Sequence, residues 1–177
     1  MTQTISLDEN YSKFLIDIKN QIKLSQQKAF NAVNQEMVFL YFSIGAMIDK
    51  KQQSLGWGAK VIDKLSADIL QEFPNMRGFS TRNLKRMVRF YKEYQVEFEK
   101  VPLAVAQLEN SKVQPAVAQI ENEKMPLLVA QIPWTHNIIL IQKIKEKSVR
   151  YWYMEQILQN GWSKDILSLM IKSELHK

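Results

Sequence analysis

The chain has 177 residues, of which 46% are hydrophobic, and it carries a formal net charge of +6 at pH 7. This length is enough for one compact domain or two small ones, and the hydrophobic content excludes wholesale disorder. The absence of cysteine excludes a disulfide scaffold and a thiolate metal site. The first ten residues lack the pattern of a signal peptide, and no apolar run is long enough to span a membrane. We therefore expect a cytoplasmic protein whose basic charge favours acidic partners.

Two helical patterns are predicted in the first 53 residues. Residues 8–24 and residues 26–53 both carry apolar residues at helical spacing, and the position of any break near Ser25 is open. Gly56-Trp57-Gly58 predicts the end of the second helix. The apolar positions are Tyr11, Phe14, Leu15, Ile18 and Ile22 in the first pattern, and Phe30, Val33, Met37, Leu40, Tyr41, Ile44, Met47 and Ile48 in the second.

The next segment predicts a helix, a short turn and a second helix. The first of these helices runs from about residue 59 to residue 73, and Pro74-Asn75 ends it because proline cannot continue the hydrogen-bond ladder. The loop 75–79 then leads into a basic helix. This order matches the helix-turn-helix unit, in which the second helix enters the major groove of DNA. The turn is a few residues longer than in the tightest examples, so the match is not specific alone.

The basic helix carries most of the functional signal. The stretch 77–92 contains six basic residues and no acidic one, which equals the net charge of the whole chain. Ser80 is the predicted N-cap, with Gly78 just before it. At about 100° per residue, the basic residues of the helix fall within roughly 120°, opposite an apolar face. The basic residues of the helix are Arg82, Lys85, Arg86, Arg89 and Lys92, with Arg77 in the loop before it, and the apolar face is Leu84, Met87, Val88 and Tyr91.

Like charges one turn apart weaken a helix by a few tenths of a kcal/mol per pair. Arg82 with Arg86 and Lys85 with Arg89 are such pairs. A helix that tolerates this repulsion indicates an anionic partner, and a phosphate backbone is the leading candidate. The alternative is a solvated basic face without a ligand.

Residues 101–136 form an internal repeat with a period of twelve. The copies are VPLAVAQLENSK, VQPAVAQIENEK and MPLLVAQIPWTH. The period is too short for a standard helical solenoid. Each copy is compatible with a short strand or a helical turn, because alanine and glutamine favour helix while valine and proline favour extended chain. The repeat region has two interpretations. It is either a surface excursion between two helical halves or a β-wing beside the basic helix.

The last third predicts three more helices. The first begins at Trp134 or Thr135 and ends near Lys147, the second is residues 149–160, and the third follows Ser163. We expect Ser148 and Ser163 as N-caps and Gly161 as a left-handed C-terminal residue. A second basic cluster comprises Lys143, Lys145, Lys147 and Arg150, and three tryptophans, Trp134, Trp152 and Trp162, are interpreted as core and helix-junction residues.

No catalytic or metal-binding motif stands out. The two histidines, His136 and His176, are far apart, and His136 is expected to pack or cap rather than bind a metal. Asp17-Ile18-Lys19 and Asp49-Lys50-Lys51 match a loose spacing found in metal-dependent nucleases. Both lie on predicted helices without convergent carboxylates, which metal-assisted hydrolysis requires. We therefore predict no catalytic residue, no metal and no cofactor.

Several patches together resemble the N-terminal domain of the bacterial YhcG-like PDDEXK nucleases, long described as a domain of unknown function. The resemblance covers nearly the whole chain except the twelve-residue repeats. The patches are Leu40-Tyr41-Phe42-Ser43-Ile44-Gly45, Trp57-Gly58-Ala59-Lys60-Val61-Ile62, Phe73-Pro74, Gly78-Phe79-Ser80-Thr81-Arg82-Asn83-Leu84, Trp134-Thr135-His136-Asn137, Arg150-Tyr151-Trp152-Tyr153 and Asn160-Gly161-Trp162-Ser163.

The resemblance implies a helical, winged-helix-like DNA-binding domain that precedes a C-terminal nuclease domain in full-length relatives. This chain stops at Lys177, before that domain would begin, and has no Pro-Asp dipeptide. Nuclease activity is therefore not carried over, and we expect a non-enzyme that works with a separate nuclease domain or subunit, or alone.

Together these observations predict a mainly α protein: one helical domain over residues 1–177, with a helix-turn-helix or winged-helix-like unit and a repeat insertion at 101–136. The predicted function is binding of double-stranded DNA. The alternative is a dimerisation or protein-interaction module without nucleic-acid binding, in which the helices of residues 8–53 pair with a second copy. The predicted nucleic-acid-binding residues are Arg77, Ser80, Thr81, Arg82, Lys85, Arg86, Arg89 and Lys92.

Overall fold

The computed structural model describes the backbone of residues 7–99 and 124–177. Those residues form helices and turns without a strand, which confirms the mainly α class. The helices are α1 (Leu7–Leu55), α2 (Ala59–Glu72), α3 (Thr81–Glu99), α4 (Lys124–Gln131), α5 (Trp134–Lys143), α6 (Lys147–Asn160) and α7 (Lys164–Lys172). None of them combines the length and the apolar character that crossing a membrane requires.

The two predicted N-terminal helices are one continuous helix. α1 has 49 residues and runs without a break through Ser25. Neither proline nor glycine occurs between residue 7 and Gly45, so nothing in the sequence stops the helix once it has begun. The predicted end at Gly56-Trp57-Gly58 is confirmed.

The apolar face predicted for residues 26–53 was only partly right. Tyr41 and Ile48 are buried, but Phe30, Val33, Leu40 and Met47 are exposed. The helix has apolar residues on more than one side, and only the side that meets α3 is buried. The residues on that side are Asn34, Val38, Tyr41, Phe42, Gly45, Ile48 and Asp49.

α3 lies at the centre of the protein and contacts α1, α2, α4 and α5. Its predicted apolar face is confirmed, and Phe90 and Tyr94 are buried as well, so the buried arc is wider than predicted. α1 passes very close to α3 at Gly45, where an added Cβ would overlap the Met87 carbonyl group. A glycine is therefore required at this crossing.

The C-terminal helices complete one hydrophobic core with α1 and α3. Trp134, at the start of α5, packs edge-on against Tyr41 of α1 and Phe90 of α3, with ring centroids 4.8 and 5.1 Å away. Trp152 and Trp162 are partly buried against the same core, so the structural interpretation of the three tryptophans is confirmed.

Two predicted helix boundaries in this half change, and two are confirmed. α5 ends at Lys143 rather than near Lys147. Ser148 does not cap α6, which begins at Lys147, and its hydroxyl instead donates to the Glu146 carboxylate. Ser163 does cap α7, accepting from the Ile166 amide, and Gly161 is left-handed with φ 63°.

The repeat region is described only in its third copy. Residues 125–131 of that copy belong to α4, and α5 begins at Trp134 near its end, so this copy is helical rather than extended. The first two copies, and with them most of the predicted β-wing, lie outside the described residues.

Candidate nucleic-acid interface

The loop that leads into α3 is fixed by side chains from both sides. The Ser66 hydroxyl of α2 donates to the Phe79 carbonyl at 2.8 Å, and both residues are buried. Ser80 is the N-cap of α3, as predicted, because its hydroxyl accepts from the Asn83 amide at 3.4 Å. Gly78 has φ +106°, and a Cβ there would meet the Tyr41 hydroxyl. The first turn of α3 is therefore held in a defined position relative to α1 and α2.

Asn83 links this loop to the C-terminal half. Its side-chain amide donates to the Gly78 carbonyl at 2.6 Å, and its oxygen accepts from the Trp134 indole at 2.9 Å. In the sequence, Asn83 and Trp134 belong to two separate patches, and Trp134 is also interpreted as a core or helix-junction residue. The hydrogen bond that joins them spans 51 residues, so no local pattern predicts it.

The neighbours of Trp134 anchor other elements. His136 is buried, and its Nε2 lies 2.8 Å from the Trp162 carbonyl, which confirms that it packs between helices. The Asn137 amide donates to the Val129 and Ile132 carbonyls at 3.0 Å each, at the end of α4. Trp134, His136 and Asn137 therefore have structural roles in the described fold.

The predicted binding residues lie just before α3 and along it, and they differ in their surroundings. Arg77 and Ser80 are exposed before α3, and Thr81 is half-buried at its first position. Arg82 and Lys85 are exposed in the first two turns, and Arg86 beside them is half-buried. Within residues 7–99 and 124–177, Arg82, Lys85 and Arg86 have no ionic or hydrogen-bonded partner. Their charge is therefore available to a ligand.

Arg89 and Lys92, two turns further on, have partners within the protein. The Arg89 guanidinium donates to the Ile141 carbonyl at 3.0 Å, near the end of α5. The Lys92 ammonium lies 2.9 Å from the Asp49 carboxylate of α1, whose side chain is 6% exposed. Gln53 donates to the other oxygen of Asp49 at 2.7 Å. Arg89 and Lys92 therefore hold α3 against α5 and α1, and their side chains are already engaged in contacts within the protein.

Arg150, which sequence reasoning grouped with the second basic cluster, is buried with 3% exposure. It donates to the Glu93 carboxylate of α3 at 2.7 Å and to the Ile144 carbonyl at 2.7 Å. Burial works to lower its pKa, but the hydrogen bond with the Glu93 carboxylate and the electrostatic interaction with Tyr94 outweigh burial and raise the pKa. Arg150 is therefore a charged structural residue that does not reach solvent.

Those contacts hold the connection between α5 and α6 against α3. The remaining members of the cluster, Lys143, Lys145 and Lys147, are exposed on this connection. Lys147 lies 6.0 Å from the centre of the Tyr94 ring of α3. The two basic segments, separated by about fifty residues in sequence, therefore adjoin in the fold. We call the combined surface of Arg77, Arg82, Lys85, Arg86, Lys143, Lys145 and Lys147 the basic surface.

The acidic residues of the two nuclease-like spacings are far from each other. Asp17 and Asp49 lie on the same helix, 32 residues or about 48 Å apart at 1.5 Å per residue. Asp17 is exposed, and Asp49 is occupied by Lys92 and Gln53. In the part of the chain that the structure describes, no group of three or more His, Asp or Glu side chains is placed to hold a metal ion.

The sequence profile of the DUF1016 N-terminal domain matches residues 17–177, and the chain belongs to this family, the N-terminal domain of the YhcG-like proteins. The match extends through α1 to α7 and does not include a nuclease domain. Comparison with curated proteins and with solved structures gives no match.

Proposed function

We propose that this DUF1016 N-terminal domain binds double-stranded DNA through its basic surface, with the first two turns of α3 at the centre. The observation that carries the proposal is that Arg82, Lys85 and Arg86 have no counter-charge within the described residues, although they lie on a helix fixed by four others. Repulsion among neighbouring cations is unfavourable without an anion, and a phosphate backbone supplies anions at regular spacing.

The arrangement suits a duplex better than a small anion. The cations extend from Arg77 along α3, and the α5–α6 connection, which carries Lys145 and follows Lys143, lies against the later turns of α3 at Arg89 and Glu93. A surface of this kind contacts several phosphates at once, which gives affinity and orientation without sequence information. Arginine at the exposed start of a helix also has the geometry for bidentate contact with guanine in the major groove.

The contacts within the protein distinguish the roles of seven of the eight predicted residues. Arg82, Lys85 and Arg86 contact DNA in the proposal, and Arg77 supports them from the loop. Arg89 and Lys92 mainly hold α3 against α5 and α1, because each already has a partner. The Ser80 hydroxyl caps the helix. The Ser80 backbone lies at the helix N-terminus, where a DNA phosphate would be bound favourably.

The test compares duplex-DNA binding by fluorescence anisotropy across a salt series. The variant is Arg82→Gln/Lys85→Gln/Arg86→Gln, which leaves Arg89 and Lys92 in place so that α3 keeps its contacts. The matched control is Lys13→Gln/Lys23→Gln/Lys28→Gln, which removes the same charge from exposed positions on α1. Glutamine keeps the helix propensity of the replaced residues.

We expect the α3 variant to bind about tenfold more weakly or worse, and its salt slope to fall by about one unit for each phosphate that is no longer neutralised. The control should behave like the wild type. Circular dichroism confirms that each variant is folded. If both triple variants weaken binding equally, the effect is that of net charge, and the proposed interface is wrong. Absence of binding by the wild-type protein at low salt refutes the proposal altogether.

A further inference from the structure

The first half of α1 is helical but has almost no contact with the rest of the described structure. From residue 10 to residue 33, every side chain is exposed except Leu15, which is half-buried. At 1.5 Å per residue this segment is about 36 Å long. Tyr11 and Phe14 are each 61% exposed, and Val33 is 68% exposed. An isolated helix that exposes large apolar side chains is unfavourable in water, because its stability normally comes from packing of its apolar face.

Some of the exposed apolar residues form a line along the helix, while Phe14, Ile16, Leu24 and Phe30 lie beside that line or away from it. The line follows alternating spacings of four and three residues, which is the heptad pattern of a coiled coil. Its members are Tyr11, Leu15, Ile18, Ile22, Ser25, Ala29 and Ala32. We call this line the α1 stripe. Its four large members at the N-terminal end occupy an arc of about 60°.

The α1 stripe lies on the opposite side of the helix from the surface that packs on α3. In the second half of α1, Asn34, Val38 and Gly45 are buried towards the core. At 100° per residue, the mean direction of that buried face is about 150° from that of the four large members of the stripe. Leu40 and Met47 continue the direction of the stripe and are 46% and 66% exposed. The core that covers one side of α1 therefore does not cover the stripe.

The narrow width of the stripe distinguishes a second helix from a lipid surface as its partner. Gln21 and Gln26 flank its central part and Phe14 lies at one edge, whereas a helix lying in a membrane interface has a wide apolar face. Polar flanks beside a narrow apolar line are typical of a coiled-coil seam. The charges of this segment lie outside the line, and they are Lys13, Asp17, Lys19, Lys23 and Lys28.

We propose that a second copy of this chain covers the α1 stripe, so that two α1 helices pair as a coiled coil and the protein is a homodimer. The length supports this partner, because the stripe from Tyr11 to Ala32 supplies three heptads. From Tyr11 to Ala32 the stripe is about 32 Å long. The pairing is independent of DNA binding, since the stripe and the basic surface share no residue.

The test is the mass of the full chain in solution, measured by size-exclusion chromatography with light scattering over a range of micromolar concentrations. The monomer has a mass of 20.8 kDa, so the proposal predicts twice that value. The stripe variant is Ile18→Glu/Ile22→Glu. The matched control is Ile16→Glu/Leu24→Glu, which changes two equally exposed apolar residues of the same helix that point away from the stripe.

The expected result is a dimer for the wild type and the control, and a monomer for the stripe variant. All four positions are exposed, so we expect folding of the core to be unaffected, and circular dichroism at 222 nm checks this. A wild-type mass of 20.8 kDa refutes the proposal, and flotation of that monomer with anionic lipid vesicles would assign the stripe to a membrane surface instead. Dissociation of both variants, or of neither, also overturns it, because the seam would then not be the interface. Duplex-DNA binding is measured on the same samples, so that failure of dimerisation is distinguished from failure of the proposed DNA binding.

Discussion

Gly45→Ala tests the closest contact between α1 and α3. The expected sign depends on two opposing effects. Alanine is a better helix former than glycine by about 1 kcal/mol, so helix propensity alone predicts that the substitution stabilises the protein. The new Cβ, however, would overlap the carbonyl oxygen and carbon of Met87 and would lie 3.1 Å from the Tyr91 Cβ.

The steric effect is expected to be larger. The overlapping atoms belong to the backbone of α3, so no side-chain rotation relieves the clash. α1 and α3 must separate by roughly 1 Å, and a gap of that size forfeits a quarter to a half of the dispersion energy of the atoms beside it. Overpacking of this kind costs about 3 kcal/mol at the upper end of its usual range. After subtracting the gain in propensity, we expect a net loss of about 2 kcal/mol in the free energy of unfolding.

The assay is urea unfolding followed by circular dichroism and by tryptophan fluorescence. For a chain of this size a loss of about 2 kcal/mol lowers the melting temperature by about 4–8 °C and the urea midpoint by about 1 M. Ala67→Gly, at an exposed position within α2, measures the propensity effect alone and should cost about 1 kcal/mol. If Gly45→Ala is more stable than the wild type by the amount that Ala67→Gly loses, the close approach of α1 and α3 is refuted.

Two further predictions concern buried polar groups. Asn83→Ala removes the partner of the buried Trp134 indole and should cost about 1–3 kcal/mol of unfolding free energy. The exposed Asn20→Ala should change the free energy of unfolding by less than about 0.5 kcal/mol. Equal effects of the two substitutions would mean that the Asn83–Trp134 hydrogen bond does not contribute to stability. Burial raises the pKa of the Tyr41 phenol, so the folded state favours the neutral form. The resulting stability is present below the pKa of the unfolded state, about 10. It is lost as pH rises from there towards the pKa of the folded state. Tyr41→Phe should therefore lose less stability than the wild type between neutral pH and pH values above about 10 in urea titrations, and parallel pH profiles would contradict this.

The basic surface also shows how far local charge patterns reach. The run from Arg77 to Lys92 is visible in the sequence, and so is the direction of its side chains, because both follow from helical periodicity. The sequence does not reveal that Lys92 is paired with Asp49 or that Arg150 is buried against Glu93. These partners lie 43 and 57 positions away, and only packing brings them together.

Local chemistry determined the helices, their main ends and the basic face of α3. Pro74-Asn75, Ser80, Gly161 and Ser163 act within one helical turn, so their effect is written in neighbouring residues. The tertiary structure decided which side of α1 is buried, because that helix has apolar residues on opposite sides and α3 covers only one of them. The same physical reason left the α1 stripe exposed: helical periodicity specifies a face, but burial depends on what the rest of the fold places against it.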